Sequence, residues 1–535
     1  MERVLIIGWG YPAFKAAQTV QELKPGTDLL WLVEYDDPKY PLEMLELLLQ
    51  TGSSPGEWSK LRAKVKIEFE RKLSSLKLAP TKAKKIRLDS RAREVSFLTN
   101  AGHTTYTFDR AFVFPEPAYS APEYAPAEAM LWPESSSAEH FIRNWGQIRF
   151  PVVAGDDWSL VQALLSGGKE FTWIRNHTGF CSQLQLFLDK YLESCGVEVV
   201  PAKNEQELKR QASAHSTEGK WVFCSATPVL DQEKLVSMGC QELTGILEKK
   251  PVLAQDNLVL VAPYADPGSW ALGTSFDWNL LNVMFSVRLE LGEASRRVPV
   301  KRMWTWKLKD MYLGKVGTDV QESSQMGWNP EWVVLSDQET PWSAQGFILK
   351  LVVDKNTRTI LGMQSMGRHA AQWLELAGML LSKQAQIDDI LEQEFSSHSW
   401  GIHPVKRCAS MLKNKLDSRI LGISPEEFQE SIRQGAEFFL MDVRSWEEYS
   451  RSRIPGAENI PFTELKNRIN EIPRFVPLVI YSRCSGRAYD AARLLKSQGA
   501  KQLYVVDGGI DLWPWGLDEA PASQKAKVPS FSCGC

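Results

Sequence analysis

The chain lacks any long apolar run. Nothing in its 535 residues approaches the roughly 18 consecutive apolar side chains of a membrane helix, so a helical membrane protein is excluded. It also lacks an excess of either charge. Lysine and arginine number 62 against 65 acidic residues, a net charge of -3. Without a strong positive field, a dedicated nucleic-acid or membrane-surface binder is excluded too. Cysteine is sparse, at positions 181, 195, 224, 240, 408, 484, 533 and 535. That spacing does not make a secreted disulfide framework, and a reducing, cytoplasmic setting is expected. The opening MERVLIIGWG enters a strand at once, with no room for a signal segment.

What the chain does hold is length for several domains and 20 tryptophans, read as core and interface residues. VLIIGWG, AFKAAQTVQEL and DLLWLVEY give strand, helix and strand. A charged helical stretch follows through residue 75, then the strand FDRAFVFPEP. A second strand–helix–strand unit begins at Arg149, with RFPVVAGDD, WSLVQALLSGG and EFTWIRN, followed by the strands WVFCSA and NLVLVAPYAD. GFILKLVVDKNTRTILGMQS, residues 346–365, reads as a hairpin turning at DKNTRT. Two amphipathic helices follow, AAQWLELAGMLLSK and VKRCASMLKNKL.

Gly8, Gly10 and Ala13 form Gly-x-Gly-x-x-Ala between a strand and a helix, and Glu34 closes the next strand. Glycines there let backbone approach a pyrophosphate, the helix N-terminus faces it, and the acid accepts a ribose hydroxyl. The pattern reads as adenine-dinucleotide binding, or as a tight turn kept without a nucleotide. At Ala154-Gly155-Asp156-Asp157-Trp158-Ser159 most of the glycines are gone. Asp156 would repel a phosphate passing close by, whereas Arg175, at the end of the following strand, could accept an NADP phosphate. A retained fold with a vacant site is the preferred reading, and NAD(P)H is doubtful.

Residues 441–513 carry MDVRSWEEY, SRIPGAENIP, VIYSRCSGRAYDAARLL and VVDGGIDLW in order. The strand VIY enters a tight loop that opens a helix, a place where backbone N–H groups favour an anion. This block resembles the rhodanese (sulfurtransferase) family, whose loop reads Cys-x-x-Gly-x-Arg and whose cysteine carries a persulfide as its thiolate. Arg487 falls on the family's loop arginine and Ser482 on its nucleophile. Cys484 comes two residues later. A serine hydroxyl cannot form a persulfide, so either Cys484 substitutes or the domain only binds.

The order of the whole chain resembles the pyridine nucleotide-disulfide oxidoreductases, in the coenzyme A-disulfide reductase and NADH oxidase branch fused to rhodanese. The resemblance implies an α/β protein with two Rossmann-like nucleotide-binding domains, an α+β dimerisation domain and a C-terminal α/β rhodanese domain. Residues 1–147 and 251–330 would form the FAD-binding part, 148–250 a degenerate NAD(P)-binding part, 331–418 the dimerisation part and 420–520 the rhodanese domain. A flexible Cys-Gly-Cys tail would occupy 521–535. FAD is the implied cofactor, with Asp266 standing in for the acid that reaches the flavin's ribityl chain. Where the family shows an Ala-Thr-Gly strand end, this chain has Phe114-Pro115-Glu116-Pro117. The branch's redox cysteine, shortly after the second strand, has no counterpart between Asp36 and Gln50. His403-Pro404 resembles the family's general acid/base at the dimer interface, or is a histidine ahead of a helix. Cys533 and Cys535 suit thiol relay or metal capture, or are an unconstrained end. Cys181, Cys195, Cys224 and Cys240 read as packing residues.

The expected protein is a homodimeric flavoprotein-like oxidoreductase acting on a small thiol, disulfide or persulfide, without nucleic acid. The alternative is a non-catalytic scaffold that keeps both folds to bind a protein partner.

Overall fold

The computed structural model describes residues 1–8, 11–34, 78–132 except 116, 140–175 except 142 and 157, 180–239 except 219, 226 and 231, 252–261 except 256, 283–292 except 285, 303–338, 346–395 and 402–519 except 474, with scattered positions between 60 and 76. Gly10, Cys240, Asp266, Cys533 and Cys535 lie outside the described residues, as does most of the charged stretch before residue 75. The chain forms two compact units, one of Met1–Gly179 with Tyr191–Asp310 and one of Phe180–Lys190 with Met311–Cys535.

In the first unit, strand Arg3–Ile7 lies parallel between Asp28–Val33 and Arg110–Val113. The chain returns to this sheet much later, as Leu258–Val261 beside Arg110–Val113. Val4 and Ile6 face one core while Leu5 and Ile7 face another, the pattern of a parallel strand covered on both sides. Helix Tyr11–Leu23 buries Ala13, Ala16, Ala17 and Val20 in the first of these cores. Its small residues permit close approach to the sheet. The second sheet runs Val197–Pro201, Phe171–Arg175, Val152–Ala154, Val222–Ser225 and Met130–Trp132, all parallel.

The second unit holds an antiparallel sheet, with Met311–Gly317, Ile360–Gly367, Gly346–Asp354 and Pro330–Gln338 side by side. Its two middle strands are the hairpin read at 346–365. Helices Ala370–Ser382 and Pro404–Leu416 stand where the two amphipathic segments were read. The chain then forms a parallel sheet ordered Leu421–Ile423, Leu503–Val506, Leu478–Tyr481, Phe439–Asp442 and Glu458–Asn459. Helices Pro425–Arg433, Trp446–Arg451 and Ser485–Ser497 belong to this part. The first two begin with serine capping boxes, Ser424 with Glu427 and Ser445 with Glu448, which satisfy the free N–H groups of the first turn.

Asp442, fully buried at the end of its strand, is held by Arg444. Arg444 Nη2 lies 2.6 Å from Asp442 Oδ2, and its Nε lies 3.0 Å from Oδ1. Replacing one partner of a buried pair strands the other charge. Arg444→Met should therefore destabilise the second unit by about 3–5 kcal/mol, read as a lower midpoint for its transition in calorimetric unfolding.

Candidate functional site

The first strand–turn–helix junction needs glycine for two reasons. Gly8 has φ +132°, and a Cβ there would lie 2.5 Å from the Phe114 carbonyl oxygen and 2.8 Å from Phe114 Cβ. The Gly8 carbonyl points inward and accepts a hydrogen bond from Trp31 Nε1 at 2.8 Å, while its N–H donates to Leu32 O at 3.1 Å. Ala13 is buried in the helix that follows. Glu34 follows the second strand and forms an ion pair with Lys234 Nζ at 3.2 Å. Two described features fit the pyrophosphate and ribose of an adenine dinucleotide: the helix start beside Ala13 and the Glu34 carboxylate at the strand end.

The second junction repeats the same bonds. Gly155 has φ +94°, Trp173 Nε1 donates to its carbonyl at 2.8 Å, and its N–H donates to Ile174 O at 2.9 Å. In both junctions the tryptophan pairs in register two residues before the glycine, Ile6 with Trp31 and Val153 with Trp173. The site itself does not fit a nicotinamide dinucleotide. Asp156 buries a carboxylate oxygen beside the turn. Arg175 is buried, its guanidinium 5.3 Å from the Trp173 ring centroid, and so is not offered to a phosphate in solvent. Sequence reasoning assigned the tryptophans to packing and missed that two of them close these turns. The signal was a tryptophan inside each second strand, in DLLWLVEY and EFTWIRN.

The third junction is the loop after strand Leu478–Tyr481. Ser482 is buried, and its Oγ accepts the Ala488 N–H at 3.1 Å and donates to the Cys484 carbonyl. The Ser482 carbonyl accepts from Ile510 N–H at 2.9 Å and the Arg483 carbonyl from Asp511 N–H at 3.1 Å. Gly509, at φ +61°, permits that approach, since a Cβ there would lie 2.7 Å from Arg483 O. Cys484 is the N-cap residue of helix Ser485–Ser497, without a capping bond from its side chain. A helix N-terminus alone would favour a thiolate. Here the thiol is pushed up to about 12, by burial first and then by Asp511 and Asp337, with Arg483 and Arg487 pulling the other way. Its Sγ lies 3.9 Å from Asp511 Oδ2.

Both loop arginines have partners of their own. Arg483 Nε lies 3.1 Å from Asp511 Oδ2 and Arg487 Nη1 lies 2.9 Å from Glu448 Oε2. Beneath the loop, Arg407 Nη1 and Asp337 Oδ2 pair at 2.7 Å. Gly486 packs on them, and a Cβ there would lie 2.8 Å from Arg407 Nη2. His403 is the residue before helix Pro404–Leu416, with its ring stacked on Phe395 at a centroid distance of 4.7 Å. Cys408, in that helix, is fully buried and its thiol is pushed up by burial and by Asp507. Among the described residues no group of three or more His, Cys, Asp or Glu could hold a metal ion, and no helix is long and apolar enough to cross a membrane.

The rhodanese-like domain family matches residues 424–514. Within this region a sulfurtransferase of Allochromatium vinosum is 31% identical over 91 residues, which are 17% of this chain and 85% of that protein. The chain belongs, through this domain, to the rhodanese-like family. The solved structure of reduced Bacillus anthracis CoADR-RHD overlays on 96% of this chain and 97% of its own, with a TM-score of 0.75 at 14% identity. A NAD-dependent persulfide reductase from A. fulgidus covers 96% of this chain and 100% of its own, with a TM-score of 0.71 at 17% identity. At such identities the likeness is one of fold, and it extends over nearly the whole chain.

The indole bonds have a direct consequence. Trp31→Phe and Trp173→Phe each remove the donor to a buried carbonyl, and each should cost about 1–3 kcal/mol. The two sites lie in separate sheets, so the double variant should lose the sum of the two, measured by denaturant unfolding of the first unit.

Proposed function

We propose that this chain is a flavoprotein-like oxidoreductase handling thiol/disulfide or sulfane-sulfur groups, with a rhodanese domain that receives the sulfur compound. The observation that carries this reading is the Ser482–Arg487 loop. It keeps the family's place between strand and helix, one helix N–H directed at the Ser482 oxygen, and two arginines at its rim. Fold overlap with a protein described as a persulfide reductase supports the same class of chemistry.

In this proposal FAD lies at the first turn, with its pyrophosphate at Gly8 and Gly10, its ribose at Glu34, and Asp266 toward the ribityl chain. FAD would supply a two-electron carrier there. Ala13 lets the helix start approach. The second unit's 331–418 segment supports a homodimer, and the setting is cytoplasmic; the domain limits follow those read from the sequence. A nicotinamide nucleotide is disfavoured as the electron donor, because Asp156 and the buried Arg175 do not suit its phosphates. Cys484 is disfavoured as a persulfide carrier by its raised thiol. The loop then binds its sulfur compound without carrying it covalently, while the Cys533–Cys535 pair and His403 remain the candidate thiol relay and proton carrier. The raised Cys484 thiol and the engaged Ser482 hydroxyl also favour a second reading, a binding subunit without turnover.

Colour separates the two readings. The purified protein, or the protein reconstituted with excess FAD, should show flavin absorption, and Gly10→Glu should abolish it. A chain that never takes up flavin leaves the binding subunit. In the rhodanese domain, wild-type thiosulfate:cyanide sulfur transfer should be very low. Ser482→Cys should raise it roughly tenfold or more, about 1.4 kcal/mol of barrier, because a cysteine there inherits the Ala488 N–H. A robust wild-type activity lost in Cys484→Ala would make Cys484 the nucleophile instead.

A further inference from the structure

Asp507 follows strand Leu503–Val506 and is fully buried. Neither carboxylate oxygen has a hydrogen-bond partner among the described residues. Charged and titratable groups face it from four elements: Lys415 and Cys408 from helix Pro404–Leu416, Lys350 from strand Gly346–Asp354, Glu331 from strand Pro330–Gln338, and Glu427 from helix Pro425–Arg433. The charged ones are committed elsewhere. Lys415 Nζ pairs with Glu331 at 2.9 Å and donates to Trp332 O at 3.0 Å. Lys350 Nζ lies 4.4 Å from the Trp332 ring centroid. Glu427 accepts the Ser424 N–H at 2.8 Å as a helix cap. On the remaining side Gly422 makes room, since a Cβ there would lie 2.9 Å from Asp507 Oδ1.

An isolated carboxylate in such a place is costly, and it stays protonated instead. Burial pushes the Asp507 carboxyl up to about 8, against the pull of Lys415 and Lys350. The residues that follow hold the sulfur loop. Gly508 N–H donates to Ser485 Oγ at 2.8 Å, and Ser485 Oγ donates to Val334 O at 3.3 Å in the antiparallel sheet. Ile510 and Asp511 N–H groups hold the Ser482 and Arg483 carbonyls. The backbone on either side of the Gly508 peptide thus ties the loop both to its own domain and to the neighbouring sheet.

We propose that Asp507 is a proton-operated latch on the Ser482–Arg487 loop: neutral, it lets the antiparallel sheet close on the loop through Ser485; ionised, it draws water or Lys350 into the seam and frees the loop. The latch does not depend on flavin or on persulfide chemistry. Its sign follows from linkage. A free aspartate ionises near 3.8, whereas the folded chain keeps this proton to about 8. Between those values the unfolded chain holds fewer protons. Stability therefore falls as pH rises through that window and levels off above it.

The test compares the full-length wild type with Asp507→Asn. The variant's unfolding midpoint should gain on the wild type's by several degrees between about pH 6 and pH 8, and then hold a constant lead. Iodoacetamide labelling of Cys484, read on its peptide by mass spectrometry, reports the loop. The ratio of wild-type to variant rates cancels the thiol's own ionisation, and it should rise about tenfold between about pH 7 and pH 9. A flat ratio, or parallel stability curves, overturns the latch. Should the variant not fold, the wild type alone decides. Amide protection factors at Gly508, Ile510 and Asp511, corrected for intrinsic exchange, should drop over the same interval, and unchanged factors overturn the proposal.

Discussion

A strand that runs directly into a helix must turn through a peptide whose carbonyl points back into the core. That oxygen cannot reach water, so the protein must supply a donor. Much of this molecule is arranged around that need. At Gly8 and Gly155 the donor is an indole N–H, from Trp31 and Trp173. At Ser482 it is the backbone N–H of Ile510. Each solution sets the packing nearby. A fully buried tryptophan fills much of the space under the turn, and small residues such as Ala13, Ala16 and Ala17 surround Trp31 in its core. The backbone solution needs a glycine at 509, at positive φ, so that one segment can lie against the other. Since the protein supplies these bonds, the turns hold their shape without a ligand, and turn shape alone cannot identify what binds there. The groups beside each turn must do that. Glu34 suits a ribose, whereas Asp156 and the buried Arg175 do not suit a phosphate.

The parts of this architecture visible in the sequence are those built from near neighbours. The strand–helix–strand units and the hairpin at 346–365 rest on local periodicity and turn residues, and both stand where they were read; the rhodanese block was legible through its resemblance to that family. The site was only partly legible. The position of Ser482 and Cys484 between strand and helix was readable, and so was the chance of a low thiol pKa at a helix start. What reverses that expectation is carried by Asp511 and Asp337, residues brought to the loop from other elements. Their charges are ordinary in sequence and become specific only once the loop rests on them. The pairing of Trp31 with Gly8 was hidden differently. In a chain this rich in tryptophan, a tryptophan in a strand reads as packing, and only the repeat of the same bond at Gly155 separates the role from the background.

Charge at the loop follows one rule with one exception. Arg483 is held by Asp511, Arg487 by Glu448 and Arg407 by Asp337. Exposed pairs of this kind contribute little stability, but they fix the directions of the guanidinium groups and lower their availability to an incoming anion. A ligand at this mouth must therefore compete with carboxylates already in place. Selectivity then comes from shape and from the Ala488 N–H at the base of the loop more than from net attraction.

The exception is clearest when two buried aspartates are set side by side. Asp442 ends one strand and Asp507 follows another in the same parallel sheet, and both are fully buried. Asp442 has Arg444 across both oxygens, and Asn459 Nδ2 donates to its carbonyl at 3.0 Å. Its ion pair with Arg444 anchors the strand end. Asp507 has the same carboxyl group in the same sheet, but its lysine neighbours are turned to Glu331 and Trp332. Side-chain chemistry alone would give the two residues one role. The presence or absence of a guanidinium in hydrogen-bonding reach divides them into an ion-paired anchor and an acid that can change state, and the second sits one peptide from the bonds that hold the loop.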